Sequence, residues 1–161
     1  MASKPFRVGR AVTLCAAVVA VAIAGCGGSD DEPLTKGEFV AQASSICKRS
    51  DEEIVQRLST YMREQPNEGA GQTQDQLFAG AVDDVLLPAV ETQIQAIGSL
   101  EPPPADEKPV SAYLGAMERG VEAVERAGPT YTSLKASLYE FEKRFLPAGR
   151  IAGDYGLKNC Q

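Results

Sequence analysis

Three acidic groupings, Asp51-Glu52-Glu53, Asp83-Asp84 and the Glu140/Glu142 pair, are the residues of this chain whose type and spacing could carry acid–base chemistry. Two carboxylates on one substrate suffice for glycosidase-type hydrolysis. Adjacent residues on a helix point about 100° apart, however, so Asp83 and Asp84 do not converge on one bond. None of the runs has the spacing of a calcium loop, and all read as solvated helix faces. The chain has no histidine, which removes Ser-His-Asp and Cys-His catalysis, the usual zinc sites and His-ligated haem, since each needs an imidazole near neutral pH. Met62 and Met117 are soft enough to ligate haem or copper, but both sit on or near apolar stripes and are expected in the core. No nucleophile–base pair, phosphate loop or metal constellation emerges. The expectation is a non-catalytic protein without metal or cofactor, with carboxylate chemistry as the alternative.

The other reactive side chains are four cysteines, Cys15, Cys26, Cys47 and Cys160. Lys4, Arg7 and Arg10 precede an apolar run from Ala11 to Ala22, the charge-then-apolar order of a secretory signal. At about 14 residues to Gly25 the run is shorter than the roughly 20 a membrane-spanning helix needs. Its end, Ile23-Ala24-Gly25-Cys26, resembles the lipobox of bacterial lipoprotein precursors, with Ile23 where Leu is commonest. That resemblance implies a diacylglycerol on the Cys26 thiol, cleavage between Gly25 and Cys26, and often a third acyl chain such as palmitate on the new amine. A plain secretory signal or an uncleaved anchor is the alternative. Residues 1–25 are thus expected to be a signal peptide and residues 26–34 a lipidated flexible tether. The domain would be exported and lipid-anchored at the outer face of the cell membrane. Gly27 to Pro33 is small, acidic and aperiodic, and about eight residues of such coil reach on the order of 15 Å.

With Cys15 leaving in the signal and Cys26 acylated, Cys47 and Cys160 remain, and two thiols outside the cytoplasm usually pair. A Cys47–Cys160 disulfide would tie down a C-terminus that otherwise frays. A redox-active pair is the other option, but there is no C-x-x-C spacing and no basic pattern beside Cys160 to activate a thiolate. Charge narrows the partners further. The whole chain carries −6, and without its first 25 residues 13 basic face 22 acidic residues, or −9. Nucleic acid and anionic headgroups both require basic surface. No nucleic acid is therefore expected as a partner, and the membrane is met through the lipid anchor alone. Cationic partners fit better.

The elements that must position these residues are helical. Thr35-Lys-Gly-Glu38 has the form of a capping box, and Phe39, Ala43, Ile46, Cys47, Ile54, Leu58 and Tyr61 then share an arc of about 120°. This helix should end before Pro66. A second box, Thr73-Gln-Asp-Gln76, opens a helix running to about Ile97 with Gly98 as C-cap. Its stripe jumps: Phe78, Ala81 and Val85 share one face, while Val90, Ile94 and Ile97 lie more than about 100° around it. Pro88 stands at the jump, which predicts one helix kinked there, with Phe78 and Ile94 on different neighbours. The stretch Glu101-Pro-Pro-Pro-Ala-Asp-Glu107 reads as a stiff connection, with Asp106 as N-cap of a third helix and Pro109 in its first turn. There Val110, Tyr113, Leu114, Met117, Val121 and Val124 make the cleanest stripe, ended by Gly128-Pro129. A fourth helix from near Thr130 places Leu134, Leu138, Phe141 and Phe145 on one side and is expected to break or kink at Pro147 and Gly149. Nothing alternates at period two. With five Phe, five Tyr and no Trp, aliphatic residues must fill the core.

The fold expected is all-α: an antiparallel four-helix bundle over residues 35–161 with a kinked second helix and a disulfide-tied C-terminal tail. Cys47, the Leu100-Glu-Pro-Pro103 connection and Tyr155-Gly-Leu-x-x-Cys160 together resemble small, uncharacterised helical lipoproteins of high-GC Gram-positive bacteria. That resemblance implies an address and a fold and brings no activity. The functional expectation is an envelope lipoprotein that binds another envelope protein or a small ligand. A wall-modifying hydrolase and a structural spacer are the alternatives. An apolar pocket or exposed apolar patch would favour binding.

Overall fold

Capping chemistry sets the start of the first helix, α1 (Lys36–Glu64). The Glu38 carboxylate accepts from the Thr35 amide at 2.9 Å and from its hydroxyl at 2.7 Å, and the Glu38 amide donates back to Thr35 Oγ1 at 3.3 Å. These bonds hold the Glu38 carboxyl below the usual carboxylate range. The computed structural model describes residues 33–64, 73–128 and 134–161, with side chains throughout except at 74, 75 and 134–138. The expected signal segment with Gly25, the expected lipidation residue Cys26, and the connections around Pro66 and Thr130 lie outside the described residues, as do the side chains of Leu134 and Leu138. Phe39, Ala43 and Cys47 of α1 are buried, while Leu58 and Tyr61 are half-buried.

The second box closes as expected, Thr73 N donating to Gln76 Oε1 at 2.9 Å and Gln76 N to Thr73 Oγ1 at 3.3 Å, and opens α2 (Gln74–Ala81). A π-helical turn over Val82–Leu86 follows, then α3 (Leu87–Gly98), with Pro88 in its first turn. Pro88 has no amide to donate and its ring crowds the carbonyl four residues back, which is that of Asp84. The chain adapts by widening: the Leu87 amide bonds to the Val82 carbonyl, five residues back. Arg57 Nη2 reaches across from α1 to the Asp84 carbonyl at 3.4 Å. The added residue rotates the apolar stripe. Val82, Val85, Leu86, Leu87, Ala89 and Val90 are all buried, although they would span about 200° of a regular α-helix. The interruption read at Pro88 is thus a π turn, and it separates two contact faces: α2 packs on α1 and α5, α3 on α1 and on the next helix. Gly98 does not cap α3. It is the last helical residue, Ser99 caps in its place with Oγ donating to the Ala96 carbonyl at 2.8 Å, and Gly98 lies against Leu114.

A single 3₁₀ turn, Pro104–Asp106, leads into α4 (Glu107–Ala127). Asp106 is the N-cap residue, but its side chain makes no capping hydrogen bond. Val110, Tyr113, Ala116, Met117, Gly120, Val121 and Val124 form the buried face, and Gly128, at φ 60°, ends the helix.

The last helix, α5 (Leu134–Tyr155), carries Pro147 in its interior and does not break there. The stretch beyond Pro147 is held by packing, with Ala148 and Ala152 fully buried and Ile151 against the core, and tertiary contact outweighs the lost hydrogen bond. Gly149 is no hinge: Gln161 crosses it, so that a Cβ there would stand 3.4 Å from the Gln161 backbone. The helix stops at Gly156, φ 103°, in a Schellman motif with Leu157 N donating to Ala152 O at 2.8 Å and Gly156 N to Gly153 O at 3.2 Å. The tail then turns onto α1. Leu157 is buried, Asn159 Nδ2 donates to the Ser44 carbonyl at 3.3 Å, and Cys160 is bridged to Cys47 with Cα atoms 5.3 Å apart.

The result is an all-α, antiparallel four-helix bundle, with α2, the π turn and α3 acting as its second member. Successive members pack along their lengths, α1 on α3, α3 on α4 and α4 on α5. Residues Asp31–Gln161 form one compact unit with a core of its own, a self-contained folding domain. Between α1 and α5 there is no comparable interface. Tyr155 on Phe39 and the tail bridge them at one end, and α2 at the other.

Candidate functional site

The open side of the bundle is a cleft of about 480 Å³. Ile54 of α1 and Phe141, Phe145 and Leu146 of α5 form its walls, and Val90 of α3 and Met117 of α4 its floor. The two phenylalanines stack at 5.1 Å and 47°. Phe145 comes this close to α4 because residue 120 is glycine: a Cβ there would stand 2.5 Å from Phe145 Cε1. Asn159, Cys160 and Gln161 wall off one end, so the disulfide is part of the site's frame.

Few polar groups enter. Gln93 is the buried polar residue of the core, and its Nε2 donates to Tyr113 Oη at 3.4 Å and to Cys47 Sγ at 3.3 Å. Burial pushes the Tyr113 phenol up, the Gln93 bond lowers it somewhat, and the charge of Asp51 raises it again. Asp51 itself, on the α1 edge of the cleft, is raised from the ordinary carboxyl range by burial. Glu142 lies on the α5 edge. Neither acid is in an ion pair. Lys143 and Arg144 pair with Glu140 at 3.6 and 3.7 Å, Arg57 with Glu53 at 3.5 Å and Lys48 with Glu52 at 3.9 Å, and Arg49 lines a separate depression between α1 and α3. Among the described residues no Lys or Arg lines the cleft.

The rims are apolar. The exposed large hydrophobic residues among those described are Val55 and Met62 of α1 and Tyr139 and Leu146 of α5. Val55 and Met62 fall within about 40° of Asp51 around α1, and Tyr139 and Leu146 within about 60° of Glu142 around α5. All four therefore flank the same seam. A second, more open depression of about 420 Å³ lies beside the α3–α4 connection, between Leu100, Val110 and Leu114.

As the sequence predicts, Cys47 and Cys160 are joined, and Tyr155 packs on Phe39 of α1 with Leu157 buried beside it in the core. Asp83 and Asp84 are solvent-exposed, and Glu52, Glu53 and Glu140 pair within their own helices. Asp51 and Glu142 are solvent-exposed as well, but the fold brings them to the edges of one cleft from groupings far apart in sequence. Met117 is core, but Met62 is 51% exposed and is not. Among the described residues no three Cys, Asp or Glu side chains gather as a metal site would require.

At the closed end, Tyr155 meets Phe39 edge-on at 6.0 Å, and Lys36 Nζ stands 4.5 Å from the Tyr155 ring centre. The Tyr155 hydroxyl closes no hydrogen bond of good geometry. Burial first, and then the neighbouring Asp106 carboxylate, push its phenol up to about 12. This cluster is packing rather than a site, since its aromatic and aliphatic parts are covered. No protein-family model, no curated protein and no solved structure matches the chain.

Proposed function

We propose that the protein is a lipid-anchored module of the outer face of the cell membrane that binds a small ligand in the α1/α5 cleft and does no chemistry on it. The observation that carries this reading is the cleft itself, apolar in floor and wall, rimmed by exposed apolar side chains, and sized within the roughly 300–1,000 Å³ of small-ligand sites. A structural spacer has no use for such a surface, which costs solubility. The address rests on the charge-then-apolar order of residues 4–22 and on Ile23-Ala24-Gly25-Cys26. Cys26→Ser should abolish incorporation of labelled palmitate and processing at Gly25, and a mature protein beginning elsewhere than residue 26 would contradict the anchor.

A second reading has one observation in its favour: Asp51, a carboxyl raised by burial, shares the cleft with Glu142, and glycoside hydrolysis uses such pairs. The apolar walls offer few groups to orient a sugar, so binding is the better fit.

The neutral apolar fluorophore N-phenyl-1-naphthylamine separates these readings. Residues 31–161, oxidised, should bind it saturably, and Leu146→Ser at the exposed rim and Phe141→Ser in the wall should each weaken binding several-fold. Fluorescence unchanged by both variants would contradict the cleft. Cleavage of a wall glycan by the wild type, lost in Asp51→Asn, would establish the hydrolase.

A further inference from the structure

Resting on that reading of the cleft, we infer that its ligand is a cationic amphiphile, an apolar body carrying a fixed positive group. The apolar part of the argument is the wall and floor, Ile54, Val90, Met117, Phe141 and Phe145, which offer no hydrogen bonds and recognise by area alone. The charge part is the asymmetry of the edges. Asp51 stands on one side and Glu142 on the other, with no basic residue in the lining among the described residues. Of the described cations near them in sequence, Lys48 pairs with Glu52, Arg57 with Glu53, and Lys143 and Arg144 with Glu140, while Arg49 lines a separate depression between α1 and α3.

Two carboxylates without partners at the edge of an apolar trough set up a local negative potential, strengthened by the low-dielectric wall beside it. Burial already raises the Asp51 carboxyl, so a cation seated there would recover an interaction that the free protein lacks. An anionic amphiphile would meet the opposite sign, and a neutral one would gain only area. The domain's net charge of −9 after residue 25 points the same way at long range. The tail closes the cleft toward the Lys36 end of α1.

The test uses oxidised residues 31–161 and three decyl probes below micelle formation: decyltrimethylammonium, decyl glucoside and decanoate, titrated by calorimetry. The cation should bind roughly five- to tenfold tighter than the neutral probe, with decanoate weakest. The double variant Asp51→Asn/Glu142→Gln should bring the cation to the neutral probe's affinity and leave the neutral probe unchanged. Glu91→Gln, an exposed acid on α3 outside the lining, should alter neither. Leu146→Ser and Phe141→Ser should weaken all three. Equal binding of cation and neutral probe, or a preference that survives the double variant, would overturn the charge inference while leaving the cleft as a site if the apolar variants still act. Binding indifferent to Leu146→Ser and Phe141→Ser would overturn both.

Discussion

At Tyr155 a single side chain carries several duties: its ring closes the bundle against Phe39, Lys36 stands by the ring, and its hydroxyl sits buried near Asp106 without a good hydrogen bond. Because the folded state holds the phenolic proton more tightly than the unfolded chain, the neutral phenol contributes stability that is complete below pH 10. It is lost as pH rises through about 12. Melting temperature followed across that window should fall for the wild type and fall less steeply for Tyr155→Phe. A residual slope should remain, because the Tyr61 and Tyr113 phenols are also raised by burial. Equal slopes would show that another group governs the alkaline transition. At this scale the sequence was legible where chemistry is a matter of counting: once Cys15 and Cys26 are set aside, Cys47 and Cys160 are the cysteines left to pair. It was opaque where two residues act only through the fold. Asp51 and Glu142 each look like members of local acidic runs, and nothing in their spacing says that helices α1 and α5 leave a gap between them.

The elements divide in the same way. Both capping boxes, the long stripe of α4 and the glycine stop at Gly128 were readable because each depends on residues within a turn or so of one another. At Pro88 the jump of the stripe was readable but the π turn that accompanies it was not. Arg57 of α1 meets the Asp84 carbonyl that the proline crowds. Pro147 misled for a related reason: the residues after it are buried strongly enough to keep α5 whole. The five ion pairs among the described residues join residues three or four apart within one helix and are exposed, so they stiffen helices by a few tenths of a kcal/mol each and do little to hold them together. Helix pairing depends instead on close approach, as at Gly120 under Phe145. Gly120→Ala gains about 1 kcal/mol of helix propensity but forces the ring off α4, an overpacking cost of about 1–3 kcal/mol. The expected outcome, read from urea denaturation, is a net loss of about 1 kcal/mol, together with altered affinity for the naphthylamine probe, since Phe145 lines the cleft. A stabilised variant would show that the ring yields freely.

For the whole molecule, the disulfide is a covalent constraint of long range, joining residues 113 apart. Opening it releases a loop of that size in the unfolded state and should lower stability by up to roughly 4–5 kcal/mol on the chain-entropy model. Denaturation with and without reductant measures this. Because Cys160 also walls the cleft, Cys47→Ser/Cys160→Ser should weaken probe binding as well as stability. Unchanged binding would mean that the tail keeps its place through Leu157 and Asn159 alone. The all-α class and the order of the bundle followed from periodicity, but its incompleteness between α1 and α5 did not, because a missing interface leaves no pattern in either helix. That gap is the centre of the functional account, and methyl NMR of the oxidised domain titrated with N-phenyl-1-naphthylamine tests it most directly. Shifts should concentrate at Ile54, Val90, Met117 and Leu146, with Ile97 and Val110 at rest. Shifts centred on Leu100, Val110 and Leu114, or no saturable shift at all, would contradict it.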